Sequence, residues 1–159
     1  MDLKFNDEGC LPQEIYELTL DEVENGFVQE NSQRRQEIFE HYKIHLKDIE
    51  ETGCCLNHWI DGSFVTLKEN PNDIDTLTEF DGLEVDKLGI KDKVEDIIHN
   101  APLRTNGCCH SFVIIRYPEK YAQDYEDYVF FKCRYLYFLF PKIKGSDNIK
   151  GFVKLKRRN

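Results

Sequence analysis

The chain has 159 residues, 40% of them hydrophobic and 13% aromatic, which suffices for one domain with a real core, and its net charge of −9 excludes a bulk electrostatic attraction to nucleic acid. It has no apolar run near the roughly 20 residues of a membrane-spanning helix, and its start lacks the order of a secretory signal. We therefore expect a cytosolic protein without membrane contact, whose six cysteines are thiols.

Two helices are predicted near the start of the chain. Thr19 can cap a short helix, because Glu22 three residues later completes a capping box. Asn31 is the expected cap of a longer helix within "SQRRQEIFEHYKIHLKDIEETG", which Gly53 ends. The longer helix is predicted from apolar residues at helical spacing, namely Ile38, Phe39, Tyr42, Leu46 and Ile49.

The middle of the chain alternates predicted strands with a helix. Residues 55–60 form the first predicted strand, and "DIDTLTEF" forms the second, with Ile74, Leu77 and Phe80 as the candidates for burial. The segment "DKLGIKDKVEDIIHN" predicts a helix, mainly after Gly89. The aromatic and β-branched run "CHSFVIIRY" predicts a third strand, which Pro118 stops.

The end of the chain is rich in aromatic residues. In "EKYAQDYEDYVFFKCRYLYFLF" the helical spacing places Tyr121, Tyr125, Tyr128 and either Phe131 or Lys132 near one face, whereas "YLYFLF" alone fits a helix or a strand. After a turn in "GSDNIKG", "FVKLK" predicts a closing strand. The fold class is therefore α/β (α+β), a small mixed sheet flanked by helices, in one domain of residues 1–159. Within it we distinguish a helical part (1–53), a motif-bearing sheet (54–116), and an aromatic helix with a closing strand (117–159).

The stretch "DGSFVTLKENPNDID" contains the residues that could carry chemistry. On a strand, Asp73 and Asp75 would point to the same face, where two carboxylates repel unless a cation such as Mg²⁺ (or Mn²⁺) lies between them. Gly62 permits a close backbone approach, and the Ser63 hydroxyl and following N–H groups suit a phosphate, to which Lys68 could add a charge. An exposed hairpin with a polar loop is the alternative that remains open.

This Gly-Ser followed by Asp-x-Asp resembles the signature of the DNA polymerase beta-like nucleotidyltransferase superfamily, and more narrowly a group of small uncharacterised bacterial proteins within it. The leading "LPQEIYELTLDEV", the Arg-bearing helix "SQRRQEIFEHY" and "KGFVKL" are also similar. The resemblance implies a mixed sheet, divalent metal on Asp73 and Asp75, and triphosphate on Gly62 and Ser63. It further implies transfer of a nucleoside monophosphate from an NTP to a hydroxyl group.

The chain departs from this superfamily at two places. A third carboxylate is usual on the neighbouring strand, but "NGCCHSFVIIRY" offers none, and His110 stands at the matching position. A histidine could still act as a general base, or catalysis has been lost. Because Pro71 follows Ser63 closely, the helix after the Gly-Ser can be only a turn or two, so its dipole would contribute little.

Two functional hypotheses follow. In the first, Asp73, Asp75 and His110 catalyse nucleotidyl transfer to a protein hydroxyl, a tRNA end or a small molecule. The resemblance implies a partner protein in a toxin–antitoxin or phage-defence module. In the second, a degenerate relative binds a nucleotide or a protein through its aromatic surface. Nucleic acid is otherwise not an expected partner.

The paired cysteines suggest a further possibility. Cys54-Cys55 and Cys108-Cys109, with His58 and His110 nearby, would permit a zinc site if their strands were neighbours. Adjacent residues on a strand face opposite sides, so each pair can supply only one thiol to a given face. Buried structural thiols are therefore the favoured interpretation, and a Cys109–His110 nucleophile is weaker still.

Overall fold

A five-stranded mixed sheet forms the centre of the computed structural model, which describes residues 3–28 and 32–156. The strands lie in the order β1-β5-β2-β3-β4; β2 runs antiparallel to β3 and β5, and the β1–β5 and β3–β4 pairs are parallel. The predicted α+β fold with a mixed sheet is therefore confirmed. The strands are β1 (Ile15–Leu18), β2 (Cys55–Asp61), β3 (Ile74–Asp81), β4 (Cys109–Arg116) and β5 (Phe152–Leu155).

Six α-helices flank the sheet within these described residues: α1 (Leu20–Phe27), α2 (Gln33–Glu50), α3 (Gly82–Leu88), α4 (Lys91–His99), α5 (Ala101–Arg104) and α6 (Ala122–Cys133). A π-helix, Arg134–Leu139, continues α6. No helix in the ranges 3–28 and 32–156 is both long and apolar enough to cross a membrane.

The local signals at the two N-terminal helices are largely confirmed. Thr19 and Glu22 form the reciprocal capping box at the start of α1. Ser32 caps α2 through its side chain, whereas the expected cap Asn31 lies outside the described residues. Helix α2 ends at Glu50, and Gly53 follows in the turn with a φ of +71°.

Strand β3, which lies between β2 and β4, is buried on both faces. Ile74, Leu77 and Phe80 are all fully buried, as the sequence predicts. Ile74 packs with residues of α1 and α2. Leu77 belongs to a different cluster, which contains Leu136 of the π-helix and Phe140, the residue directly after that helix. Because alternate residues of a strand face opposite sides, Asp75 shares the face of Leu77.

Three elements differ from the sequence expectation. The strand β1 was not predicted, because its four residues are stabilised by pairing with the distant β5. A helix was predicted mainly after Gly89, but α3 also lies before that glycine, and the carboxylate of Asp81 caps its first turn. The segment "YLYFLF" is helical rather than extended, and it continues α6 with π-type hydrogen bonding.

Candidate active site

The six predicted site residues border one cleft. The C-terminal end of β2 meets the N-terminal ends of β3 and β4, because Asp61 pairs with Asp75 and Asp75 pairs with His110. The cleft has a volume of about 560 Å³. Its lining includes Gly62, Ser63, Lys68, Asp73, Asp75 and His110.

Gly62 is required by the backbone at this point. Its φ of +83° and ψ of −164° lie in a region that is essentially restricted to glycine. A Cβ atom at this position would collide with the Asp75 carboxylate. Ser63 then begins a single 3₁₀ turn, Ser63–Val65, as expected from the short spacing to Pro71. The Gly-Ser segment therefore packs directly against the second aspartate.

Arg35 of α2 holds the loop that follows the turn. Arg35 is 2% exposed, and its guanidinium donates hydrogen bonds to the carbonyl oxygens of Phe64, Thr66 and Lys68. It also donates to the Phe27 carbonyl at the end of α1. Helix α2 thus fixes the path of the chain between Ser63 and Lys68. The sequence marks the Arg-bearing helix but gives no indication of this contact across 29 to 33 residues.

The Asp75 carboxylate lies in an electrostatic setting that favours a cation. Burial raises the pKa of Asp75, and the negative charge of Asp73 raises it further. The His110 ring and the Lys150 ammonium act in the opposite direction, and His110 Nδ1 lies 3.5 Å from Asp75 Oδ1. The pKa of Asp75 nevertheless stays raised, because burial is the largest of these effects.

A buried ion pair, Asp61–Lys150, forms the floor of the cleft and was not predicted. Lys150 Nζ donates to Asp61 Oδ1, and the two residues are 5% and 6% exposed. Burial raises the pKa of Asp61 to about 6, although Lys150 opposes the shift, and the Asp75 charge adds to it. The sequence shows Lys150 only as part of "KGFVKL", because the partners are 89 residues apart.

Lysines line much of the remaining wall. Lys142 and Lys144 precede β5 and border the same cleft as Lys68 and Lys150. In a protein with a net charge of −9, this grouping concentrates positive charge in the cleft that also holds the aspartates. An anionic ligand such as a polyphosphate suits a wall of this kind.

Glu79 is a further acidic residue on the same face of β3 as Asp75, but its carboxylate is already bonded to other groups. It is fully buried and accepts hydrogen bonds from Tyr128 and Lys132 of α6, and from Asn57 of β2. Burial alone would raise the pKa of Glu79, yet these bonds lower it below its ordinary value. Glu79 therefore anchors α6 to the sheet.

The cysteine pairs do not meet. Cys55 pairs with Phe80 at one end of β3, whereas Cys109 pairs with Ile74 at the other end. The considered zinc site between the two pairs is therefore ruled out by the sheet topology. All six cysteines are thiols, and burial raises the pKa of Cys109 to about 12, which disfavours a nucleophilic thiolate. His58 lies in the core and contacts Thr78.

The aromatic segment is split between a packed side and an exposed side. Tyr128 faces Glu79 on the sheet side. The exposed large side chains along α6 and the π-helix include Phe130, Phe131, Tyr137 and Phe138.

Comparison with known proteins places the chain by sequence. A model of a family of unknown function (DUF6932) matches residues 3–156. No curated protein and no solved structure matches the chain.

Proposed function

The chain belongs to this family of unknown function (DUF6932), and we propose from its own cleft that it is a metal-dependent nucleotidyltransferase. The proposed reaction transfers a nucleoside monophosphate from an NTP to a hydroxyl group. The observation that carries it is the junction of Gly62-Ser63 with Asp73 and Asp75 in one lysine-lined cleft.

The donor set of the cleft fits a hard divalent cation. Asp73 and Asp75 supply carboxylate oxygens, which Mg²⁺ and Mn²⁺ prefer. Burial raises the pKa of Asp75 most, and the Asp73 charge raises it further; a cation beside the two carboxylates would stabilise their charged forms against both effects. When bound, the ion would neutralise negative charge on the phosphates and polarise their oxygens.

The phosphates have complementary groups on the opposite wall. Gly62 has no side chain, so a phosphate oxygen can approach the backbone at Ser63. The Ser63 hydroxyl donates a hydrogen bond, and Lys68 and Lys142 supply positive charge. Arg35 keeps Lys68 in this position through its bond to the Lys68 carbonyl.

His110 is the proposed general base. Its Nδ1 contacts Asp75, which leaves Nε2 to accept the proton of the acceptor hydroxyl. The acceptor oxygen forms a bond to the α-phosphorus while the bond from that phosphorus to the bridging oxygen breaks. Pyrophosphate leaves with that oxygen, and the hydroxyl proton passes to His110. Protonated His110 is then stabilised by the neighbouring Asp75 carboxylate.

Label transfer tests the proposal. The protein is incubated with each α-labelled NTP, with Mg²⁺ or Mn²⁺, and with a cell lysate as the source of acceptors. We expect labelled acceptor from the wild type, and none from folded Asp73→Asn or Asp75→Asn proteins. Asp92→Asn, an exposed carboxylate on α4, is the matched control and should retain transfer. Transfer that survives both cleft substitutions would refute the assigned residues.

A second candidate is a catalytically degenerate module that binds a nucleotide or a protein. Two observations favour it: β4 carries His110 where a carboxylate is usual, and Phe130, Tyr137 and Phe138 are exposed by 59%, 70% and 70%. It predicts metal-dependent NTP binding without transfer to any lysate component. It also predicts a protein partner whose binding is lost in Phe130→Ser and Phe138→Ser proteins.

A further inference from the structure

A mixed cluster of ligating side chains joins α2 to the segment before β4, and none of its three members lines the cleft. Glu37 and His41 are one helical turn apart on α2, so they share a face of the helix. Cys108 stands just before β4 and brings its Sγ atom to the same point. One ligand atom from each residue lies within 4.8 Å of the other two.

We propose that Glu37, His41 and Cys108 form a zinc site. A thiolate, an imidazole and a carboxylate are the three side-chain ligand types that Zn²⁺ accepts in proteins. With three protein ligands, the fourth tetrahedral position would be left for water or another ligand. Because the set includes a thiolate, it discriminates against Mg²⁺, unlike the all-oxygen pair Asp73 and Asp75. The zinc proposal does not depend on the proposed transferase activity.

The three ligand atoms would have to move only slightly closer together to bind zinc. Zinc bonds of about 2.3 Å to sulfur and about 2.0 Å to nitrogen place tetrahedral ligands roughly 3.5 Å apart. Glu37 and His41 can supply this shift by changing rotamer, since Glu37 is 45% exposed and His41 is half-buried. Cys108 is fully buried and held by the chain, so it is the fixed member of the set.

Arg34 contacts two of these three groups, Glu37 and Cys108. Its Nη1 lies 2.7 Å from Glu37 Oε2 and 3.6 Å from Cys108 Sγ, so a positive charge already stands beside both ligands. Zinc would replace that charge. Arg34 is 31% exposed and adjoins an open groove of about 610 Å³, which gives the guanidinium a path into solvent.

The exchange would also release a contact to the cleft. Arg34 Nη2 donates to the carbonyl of Asn72, the residue before Asp73. The Cys108 carbonyl accepts from the Ile74 N–H at 2.9 Å, so the same segment is held from both sides. Zinc on Cys108 would therefore loosen the Asn72 contact while retaining the backbone bond.

Cobalt and zinc titrations of the full chain, stripped of metal with a chelator, test the site. Co²⁺ should give a thiolate charge-transfer band that saturates at one equivalent and disappears when Zn²⁺ is added. Zinc affinity is measured by competition with a chromophoric chelator. We expect Cys108→Ser and His41→Ala to weaken zinc binding by about tenfold or more, since even residues outside the ligand shell commonly contribute that much. Cys133→Ser, on α6, is the matched thiol control and should bind as the wild type does.

The Arg34→Gln protein shows whether zinc displaces the Arg34 guanidinium or whether the guanidinium supports the site. If zinc replaces the guanidinium, removing it should tighten zinc binding. Weaker binding by the Arg34→Gln protein would contradict the exchange. Absence of the thiolate band, or a zinc affinity unchanged in both His41→Ala and Cys108→Ser proteins, would overturn the site. Because His41 is only half-buried, His41→Ala remains informative even if the Cys108 variant fails to fold.

Discussion

Replacement of Gly62 by alanine introduces both backbone strain and a collision with the Asp75 carboxylate. The backbone of Gly62, with φ +83° and ψ −164°, lies in a region that costs a residue with a Cβ about 1–3 kcal/mol. The added methyl group would also collide with the Asp75 carboxylate, which must then turn away. We therefore expect Gly62→Ala to lower the free energy of unfolding by about 2–4 kcal/mol and to abolish metal-dependent NTP binding.

Gly89→Ala is the matched control for backbone strain alone. Gly89 is also left-handed, with a φ of +63°, but nothing lies within 4 Å of its added Cβ atom. Its substitution should cost about 1–2 kcal/mol, the ordinary penalty of the left-handed conformation. NTP binding should be unaffected, because Gly89 follows α3, outside the cleft lining.

Urea unfolding followed by fluorescence measures both penalties. The single tryptophan, Trp59, is 3% exposed on β2, so its emission reports unfolding of the central sheet. Calorimetric titration with Mg²⁺ and an NTP measures binding by each variant. If Gly62→Ala costs no more than Gly89→Ala and still binds the nucleotide, the inferred contact between Gly62 and Asp75 is wrong.

Three other substitutions test the framework of the site. Lys150→Met would leave the Asp61 carboxylate buried without its partner and should lower unfolding stability by about 3–5 kcal/mol; adding Asp61→Leu should restore much of this loss in urea unfolding, and no recovery would contradict the pairing. Arg35→Lys cannot satisfy the same set of carbonyl oxygens, so we expect a loss of about 3 kcal/mol or more in thermal unfolding together with weaker NTP binding; a wild-type melting temperature would refute this anchoring role. Burial lowers the pKa of His58 from 6.5 to about 3. As the pH drops below 6.5, the unfolded chain therefore takes up a proton at His58 before the folded protein does, and the free energy of unfolding falls by about 1.4 kcal/mol per pH unit from this residue. His58→Gln should therefore make the free energy of unfolding, measured by urea titration at each pH, fall less steeply between pH 6 and 4. Asp61, whose pKa is raised to about 6, acts in the opposite direction in this range and is unchanged in the variant. An unchanged slope would contradict a neutral, buried His58.

The parts of the fold that local signals encode were predicted from the sequence. The capping box at Thr19, the strand "DIDTLTEF" and the strand "CHSFVIIRY" depend on neighbouring residues, and the structure has each of them. The strand β1 depends on parallel pairing with β5 at the far end of the chain. The helix α3 depends on the side chain of Asp81, which directly follows the predicted strand "DIDTLTEF" and caps the helix.

The candidate site shows the same division. The grouping of residues within Gly62–Asp75 in one cleft could be predicted because they lie close together along the chain, and the sheet register places His110 beside Asp75. The Asp61–Lys150 pair was missed because its partners meet only when β5 is placed beside β2. The Glu37–His41–Cys108 cluster likewise joins a helix to a distant strand, although the four-residue spacing of Glu37 and His41 is visible in the sequence.

Nucleotide binding with and without metal tests the central claim most directly. Wild-type protein and the Asp75→Asn variant are titrated with a non-hydrolysable NTP by calorimetry, in Mg²⁺ and in chelator. We expect the wild type to bind the nucleotide in Mg²⁺ but not in chelator. Asp75→Asn should lose that binding while its unfolding midpoint stays within a few degrees of the wild-type value. Equal affinity in Mg²⁺ and chelator, or equal affinity of the two proteins in Mg²⁺, would contradict the proposed metal-dependent site.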